Sequence, residues 1–102
     1  MNILDKYVIR GRRTASRIWD DTAVIVLFPI GYTDRVERIF ELTKTGTYIW
    51  KLLEKKPKVR EIIDCIVKNT RFDWDRVEKE VVAYISKLRA NKIVDLLDKL
   101  AK

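Results

Sequence analysis

One cysteine and no histidine leave this chain of 102 residues few means of making or breaking bonds. A Ser/His/Asp or Cys/His nucleophilic site cannot be assembled, and neither can a zinc site of clustered His and Cys. Cys65 also has no partner for a disulfide. Among its neighbours at helical spacing, Lys68 is the only base, so nothing marks the thiol as activated. No cofactor or metal is expected, and the residue types predict a protein that binds rather than catalyses.

Charge is the other chemical resource. Twenty-two Lys and Arg against fifteen Asp and Glu leave +7, which favours an acidic partner. Lys6, Arg10, Arg12, Arg13 and Arg17 make residues 6–17 wholly basic, and Lys44–Arg60 carries six bases to one acid. These clusters read either as contacts to nucleic acid or an acidic peptide, or as a solvated surface. Gln is absent, Asn occurs three times, and charged residues make up 36% of the chain. That balance is the one heat-adapted proteins favour and predicts a thermophilic source.

The apolar residues show which elements must hold these groups. The longest apolar run, Ala23–Ile30, is far short of the ~20 residues of a membrane span. Arg10–Arg17 interrupts the stretch a signal peptide would need, so a cytoplasmic chain is expected. Ala15–Trp19 and Thr22–Phe28 flank Asp20-Asp21 as two strands of a hairpin. Pro29, Gly31 and Thr33-Asp34 then break the chain, and Val36–Leu42 resumes as a third strand. In that strand Val36, Phe40 and Leu42 share one face, interrupted by Arg38, while Glu37 and Glu41 point the other way. Tyr7–Arg10 reads as a further short strand or an arm.

After residue 42 the period becomes helical. Leu42, Ile49, Trp50 and Leu53 share one side of a first helix that Thr43 can cap. Val59, Ile62, Ile63, Ile66 and Val67 form the stripe of a second. A third begins at Asp73 or Asp75 and carries Val77, Val81, Tyr84, Ile85 and Leu88. Ile93–Lys102 reads as a short helical tail. Trp19, Trp50 and Trp74 are expected to pack internally. The fold class is α+β: a winged helix-turn-helix-like domain with a three-stranded antiparallel sheet followed by three helices. One domain is expected over 1–102, with a basic arm over 1–14 and a short tail over 96–102.

With the hairpin on one side, the third strand is left with an open edge. An extended peptide can add there as a further strand, although the N-terminal arm or a second copy could cover it instead.

Several of these residues, taken together, resemble the PqqD-like family, pyrroloquinoline quinone biosynthesis protein D and its relatives. Phe40-Glu41-Leu42-Thr43, Gly46, Ile49-Trp50 and Leu52-Leu53 carry the resemblance first. It continues through Val59, Glu61-Ile62-Ile63, Phe72-Asp73, Val77, Glu80-Val81, Tyr84-Ile85 and Leu88, and covers about residues 15–95. Thr43 replaces the family's usual Asn and Glu80 its usual Asp; both can do the same hydrogen-bonding work. The resemblance implies a module that captures the leader of a ribosomally made precursor peptide by strand addition. It then presents the precursor to a modifying enzyme, such as a radical-SAM protein, a protease or a cyclase. The peptide-binding strand would be Val36, Glu37, Arg38, Ile39, Phe40 and Glu41. The groove side of the third helix would be Val82, Ile85 and Arg89, with Tyr84 on its other side. The protein itself would be a monomer or an edge-paired dimer.

The rival reading is a winged-helix DNA-binding transcriptional regulator. In such readers the start of the third helix enters the major groove. Here that start carries Asp73, Asp75, Glu78 and Glu80, and residues 73–89 hold four acids and four bases. Carboxylates facing phosphates oppose binding, so no specific nucleic-acid partner is expected. Fluorescence anisotropy with labelled duplexes should show no sequence dependence, and no affinity tighter than the non-specific range of about 10⁻⁴–10⁻⁶ M at physiological salt.

Overall fold

The computed structural model describes residues 2–28 and 38–100. Two small sheets and three helices surround one core. A 3-10 turn, Ile3–Asp5, leads into β1 (Tyr7–Arg10), followed by β2 (Thr14–Trp19), β3 (Thr22–Leu27) and β4 (Arg38–Glu41). The helices are α1 (Lys44–Leu52), α2 (Val59–Thr70) and α3 (Trp74–Ala90), and β5 (Val94–Leu97) follows them. The expected turn residues from Pro29 to Asp34, with Val36 and Glu37, lie outside the described residues, as does the end of the tail at 101–102.

β2, β3 and β4 form the antiparallel three-stranded sheet that the sequence predicted, with β3 at its centre. Asp20 and Asp21 both have positive φ, 47° and 62°, which is the geometry of a two-residue hairpin turn matched to strand twist. Asp tolerates this conformation better than most residues. Along β3 the pleat sends Ala23, Ile25 and Leu27 into the core, while Thr22, Val24 and Val26 face outward, half-buried.

The helices follow the expected stripes. Thr43 caps α1, its hydroxyl accepting from the Gly46 N–H at 3.1 Å. Leu53–Lys55 tightens into a 3-10 turn that ends at the left-handed Lys56, and Arg71 ends α2 in the same way. The backbone N–H of Lys58 donates to Glu61 at 2.9 Å, satisfying one orphan donor at the start of α2. Asp73 occupies the cap position of α3, but its side chain makes no capping bond. Ile62, Ile63, Val77, Val81, Ile85 and Leu88 are buried between the two long helices and the sheets.

At the N-terminal end Tyr7–Arg10 takes the strand form of the two that the sequence left open, and at the C-terminal end the structure differs from expectation. The segment expected as a basic arm is built into the fold, with Leu4 and Val8 buried. The tail expected as a helix is a strand instead. β1 and β5 pair antiparallel from Tyr7↔Leu97 to Arg10↔Val94, and Lys6 reaches Asp98 at 3.2 Å. On its other side β1 meets the segment before α2: the Val8 N–H donates to the Pro57 carbonyl, and the Val59 N–H to that of Lys6. Ile93, Leu96, Leu97 and Leu100 satisfy helical spacing, but β1 offers open backbone groups to this stretch, and Val94 becomes fully buried on pairing. Gly11 allows the close approach that follows: a side chain there would collide with the Lys92 carbonyl.

Part of the basic cluster at residues 6–17 is spent on contacts within the molecule, while Arg12 and Arg17 stay exposed. The Arg10 guanidinium stacks over the Trp50 ring at 4.7 Å and donates to the Trp50 carbonyl at 2.7 Å. Arg13 donates to the Phe28 carbonyl at 3.0 Å. Trp50 is buried as expected, and its indole N–H donates to Ser16 at 2.9 Å. Trp74 is half-buried against the core, whereas Trp19 is 60% exposed and does not pack internally.

One buried polar contact joins sheet to helix. The Thr47 hydroxyl, on α1, accepts from the Ala23 N–H at 2.8 Å. Thr47→Val should leave that donor buried without a partner and cost about 1–3 kcal/mol, while Thr47→Ser should retain most of the stability. Urea unfolding of the two variants checks this.

Candidate functional site

β4 forms one edge of its sheet among the described residues, and the phase of its ladder shows which groups are free. The Leu42 N–H donates to the Ala23 carbonyl at 2.9 Å. Antiparallel pairs alternate every second residue, so Phe40 and Arg38 also turn their backbone toward β3. The N–H and C=O groups of Ile39 and Glu41 therefore point to the open edge. They are four hydrogen-bonding groups with no partner in the sheet.

Beside β4, against the C-terminal half of α3, runs a groove of about 370 Å³. Phe40, Leu42, Tyr84 and Leu88 provide its apolar surface, and Arg38, Lys87 and Asn91 stand at one end. Arg38 lies over the Phe40 ring at 4.9 Å and donates to the Asn91 side chain at 3.1 Å. Asn91 is itself oriented by donating to the Lys87 carbonyl at 2.9 Å. Arg38 and Lys87 form no ion pair among the described residues and make that end cationic.

A second pocket of about 230 Å³ opens past Thr43 and Tyr84, between the three helices. Gly46, Ile49, Val77 and Val81 line it, with Glu80 contributing a carboxylate. Tyr84 borders both spaces. A methyl group at Gly46 would overlap the Tyr84 hydroxyl, which explains why the α1 motif carries glycine there. Burial holds the Tyr84 phenol above its ordinary pKa of 10.0, and a side-chain hydrogen bond with Thr43 pulls the other way.

The expected site residues separate into two groups. Arg38, Phe40, Glu41 and Tyr84 line the groove, and Ile39 lies on the same strand, 68% exposed. Val36 and Glu37 lie outside the described residues. Ile85 is wholly buried in the core and does not reach the groove. Val82 faces the opposite flank of α3, beside Ile3 and Leu4, and Arg89, seven residues further, falls on that flank too. Sequence reasoning missed Leu42, Thr43, Lys87, Leu88 and Asn91. The spacing Tyr84–Leu88–Asn91 marks this flank in the sequence, but it does not reveal which flank meets β4.

Among the described residues no cluster of three or more His, Cys, Asp or Glu could hold a metal ion, and no helix is long and apolar enough to cross a membrane.

The family model described as coenzyme PQQ synthesis protein D (PqqD) matches residues 25–94. A solved structure, TbiB1 in complex with the TbiA(beta) leader peptide, superposes with a TM-score of 0.74 at 23% identity. The match covers 92% of this chain and 99% of the other. No curated protein matches the chain significantly.

The raised Tyr84 pKa fixes a pH dependence. The unfolded chain releases this proton first, so the stabilising contribution is complete below pH 10 and is lost as pH rises toward the folded value. Between about pH 8 and about pH 11 the wild type should lose stability relative to Tyr84→Phe, and only above pH 10. Urea midpoints across that range provide the measurement.

Proposed function

The chain belongs to the PqqD family, and from that premise we propose that it captures the leader of a ribosomally made precursor peptide as a strand added to β4. The carrying observation is an edge with unpaired backbone groups at Ile39 and Glu41 directly beside an apolar groove. An extended peptide there makes up to four main-chain hydrogen bonds, about 2–6 kcal/mol together at ordinary net values. Alternate side chains would enter the groove over Phe40, Leu42 and Leu88, and Arg38 and Lys87 favour carboxylates at their end. TbiB1, a protein of the same fold solved in complex with a leader peptide, supports a leader peptide as the ligand.

The role is non-catalytic: the domain holds the leader while a separate enzyme, such as a radical-SAM protein, a protease or a cyclase, modifies the rest of the precursor. With no histidine and one half-buried cysteine, the chain has little chemistry of its own to offer.

The experiment is an amide NMR titration with synthetic peptides spanning each small open reading frame found near this chain's gene. The largest shifts should fall on Arg38–Glu41 and on Tyr84–Asn91. Ile39→Pro removes one edge-facing N–H without touching the ladder to β3, and should weaken binding about tenfold or more. Ile39→Ala keeps that N–H and should bind within about threefold of wild type. Shifts concentrated on α2 or on Tyr7–Arg10, with Arg38–Glu41 unmoved, would mean that the peptide binds elsewhere.

A further inference from the structure

Among the described residues, no element covers the face of the three-stranded sheet turned away from the core. Its register sets Ala15, Val26 and Ile39 in one row, and Arg17, Val24 and Glu41 in the next. Trp19 stands beyond them, 60% exposed, and Ile39 is 68% exposed. Ala15, Arg17, Trp19, Val24 and Val26 line a shallow hollow of about 300 Å³. In a chain that is 36% charged with a net +7, the described strands β2 to β4 place one base, Arg17, and one acid, Glu41, on this face. An exposed apolar patch with that little charge marks an interaction surface.

We propose that this face packs against the same face of a second copy, around a two-fold axis running along β3. Such an interface is self-complementary, with every contact made twice. An axis parallel to β3 lays β2 of one copy over β4 of the other. Arg17 then meets Glu41 of the second copy, Ala15 meets its Ile39, and the Val24 side chains meet near the axis. An axis across the strands at the level of this row would set Arg17 against Arg17 and Glu41 against Glu41, so the charges favour the first arrangement. The Arg17 guanidinium lies over the Trp19 ring at 5.4 Å, which keeps it on this face.

Face-to-face packing is perpendicular to the direction of strand pairing, so the β4 edge stays open in both copies. The dimer therefore carries two peptide grooves. Its area is small. Two strands of six residues and one of four, about 4.8 Å apart, offer on the order of 250 Å² per copy. That is below the ~1,200 Å² of total area typical of stable complexes, so the association is weak and reversible.

Analytical ultracentrifugation of the purified chain from about 10 μM to about 1 mM should show a reversible monomer–dimer equilibrium within that range. Arg17→Glu and Glu41→Arg should each raise the dissociation constant about tenfold, and the double variant should return to within about threefold of wild type. Both side chains are exposed, and circular dichroism confirms that each variant folds. A monomer throughout the range overturns the proposal. So does a dimer indifferent to both reversals, or a double variant no tighter than the singles. The last two outcomes would assign the association to another surface.

Discussion

Where β4 leaves the sheet, the Ala23 N–H loses its place in the ladder, and the Thr47 hydroxyl takes over as its acceptor. Much of the candidate site depends on that exchange. A buried amide without a partner would be costly, so the turn from strand to helix can be this abrupt only because α1 returns an oxygen to the same donor. The cap at Thr43 fixes the start of the helix four residues before Thr47. Together they set the angle at which α1 departs, and with it the position of Gly46 under Tyr84. The groove's apolar wall and the edge groups of β4 are thus held by one short stretch of chain, Glu41–Thr47.

α3 supplies the opposite wall, and its two flanks do different work. Val77, Val81, Ile85 and Leu88 anchor the helix in the core, and packing fixes its rotation. Once that rotation is fixed, Tyr84, Lys87 and Asn91 face β4, and Val82 faces the N-terminal turn. Ile85 cannot serve both core and groove, and the core holds it. The groove instead draws its apolar surface from residues at the margin of the core, Phe40, Leu42 and Leu88, each partly committed to the fold already.

Much of this architecture is legible in local patterns. Asp20-Asp21 between two β-branched runs specifies its hairpin, and the stripes of α2 and α3 specify their buried faces. What escapes local reading is pairing across the length of the chain. Ile93–Leu97 satisfies helical spacing, and only the presence of β1, more than eighty residues earlier, makes it a strand. The choice between the flanks of α3 escapes for the same reason, since it depends on how the helix crosses a distant sheet. Charge misleads too. Arg10 reads as part of a basic surface, yet it stacks on Trp50, because a guanidinium is as suited to covering an aromatic face as to meeting a phosphate.

The pairing of β1 with β5 has a mechanical consequence. Because the strands are antiparallel, Tyr7 and Leu97 form the outermost rung, and both ends of the described chain emerge there. A pull applied across the two ends would first load what lies outside that rung, the buried Leu4 and the Asp5–Arg60 and Lys6–Asp98 ion pairs, and then open the ladder rung by rung, as a zipper opens. Strands pulled along their length in shear would instead resist with all their hydrogen bonds at once. The domain is therefore weak toward traction on its ends, although Val8 and Val94 lie wholly buried at the ladder's inner rungs. A protease or translocase that grips the C-terminal end would begin with this clasp and would reach the peptide groove only after the core had lost both valines.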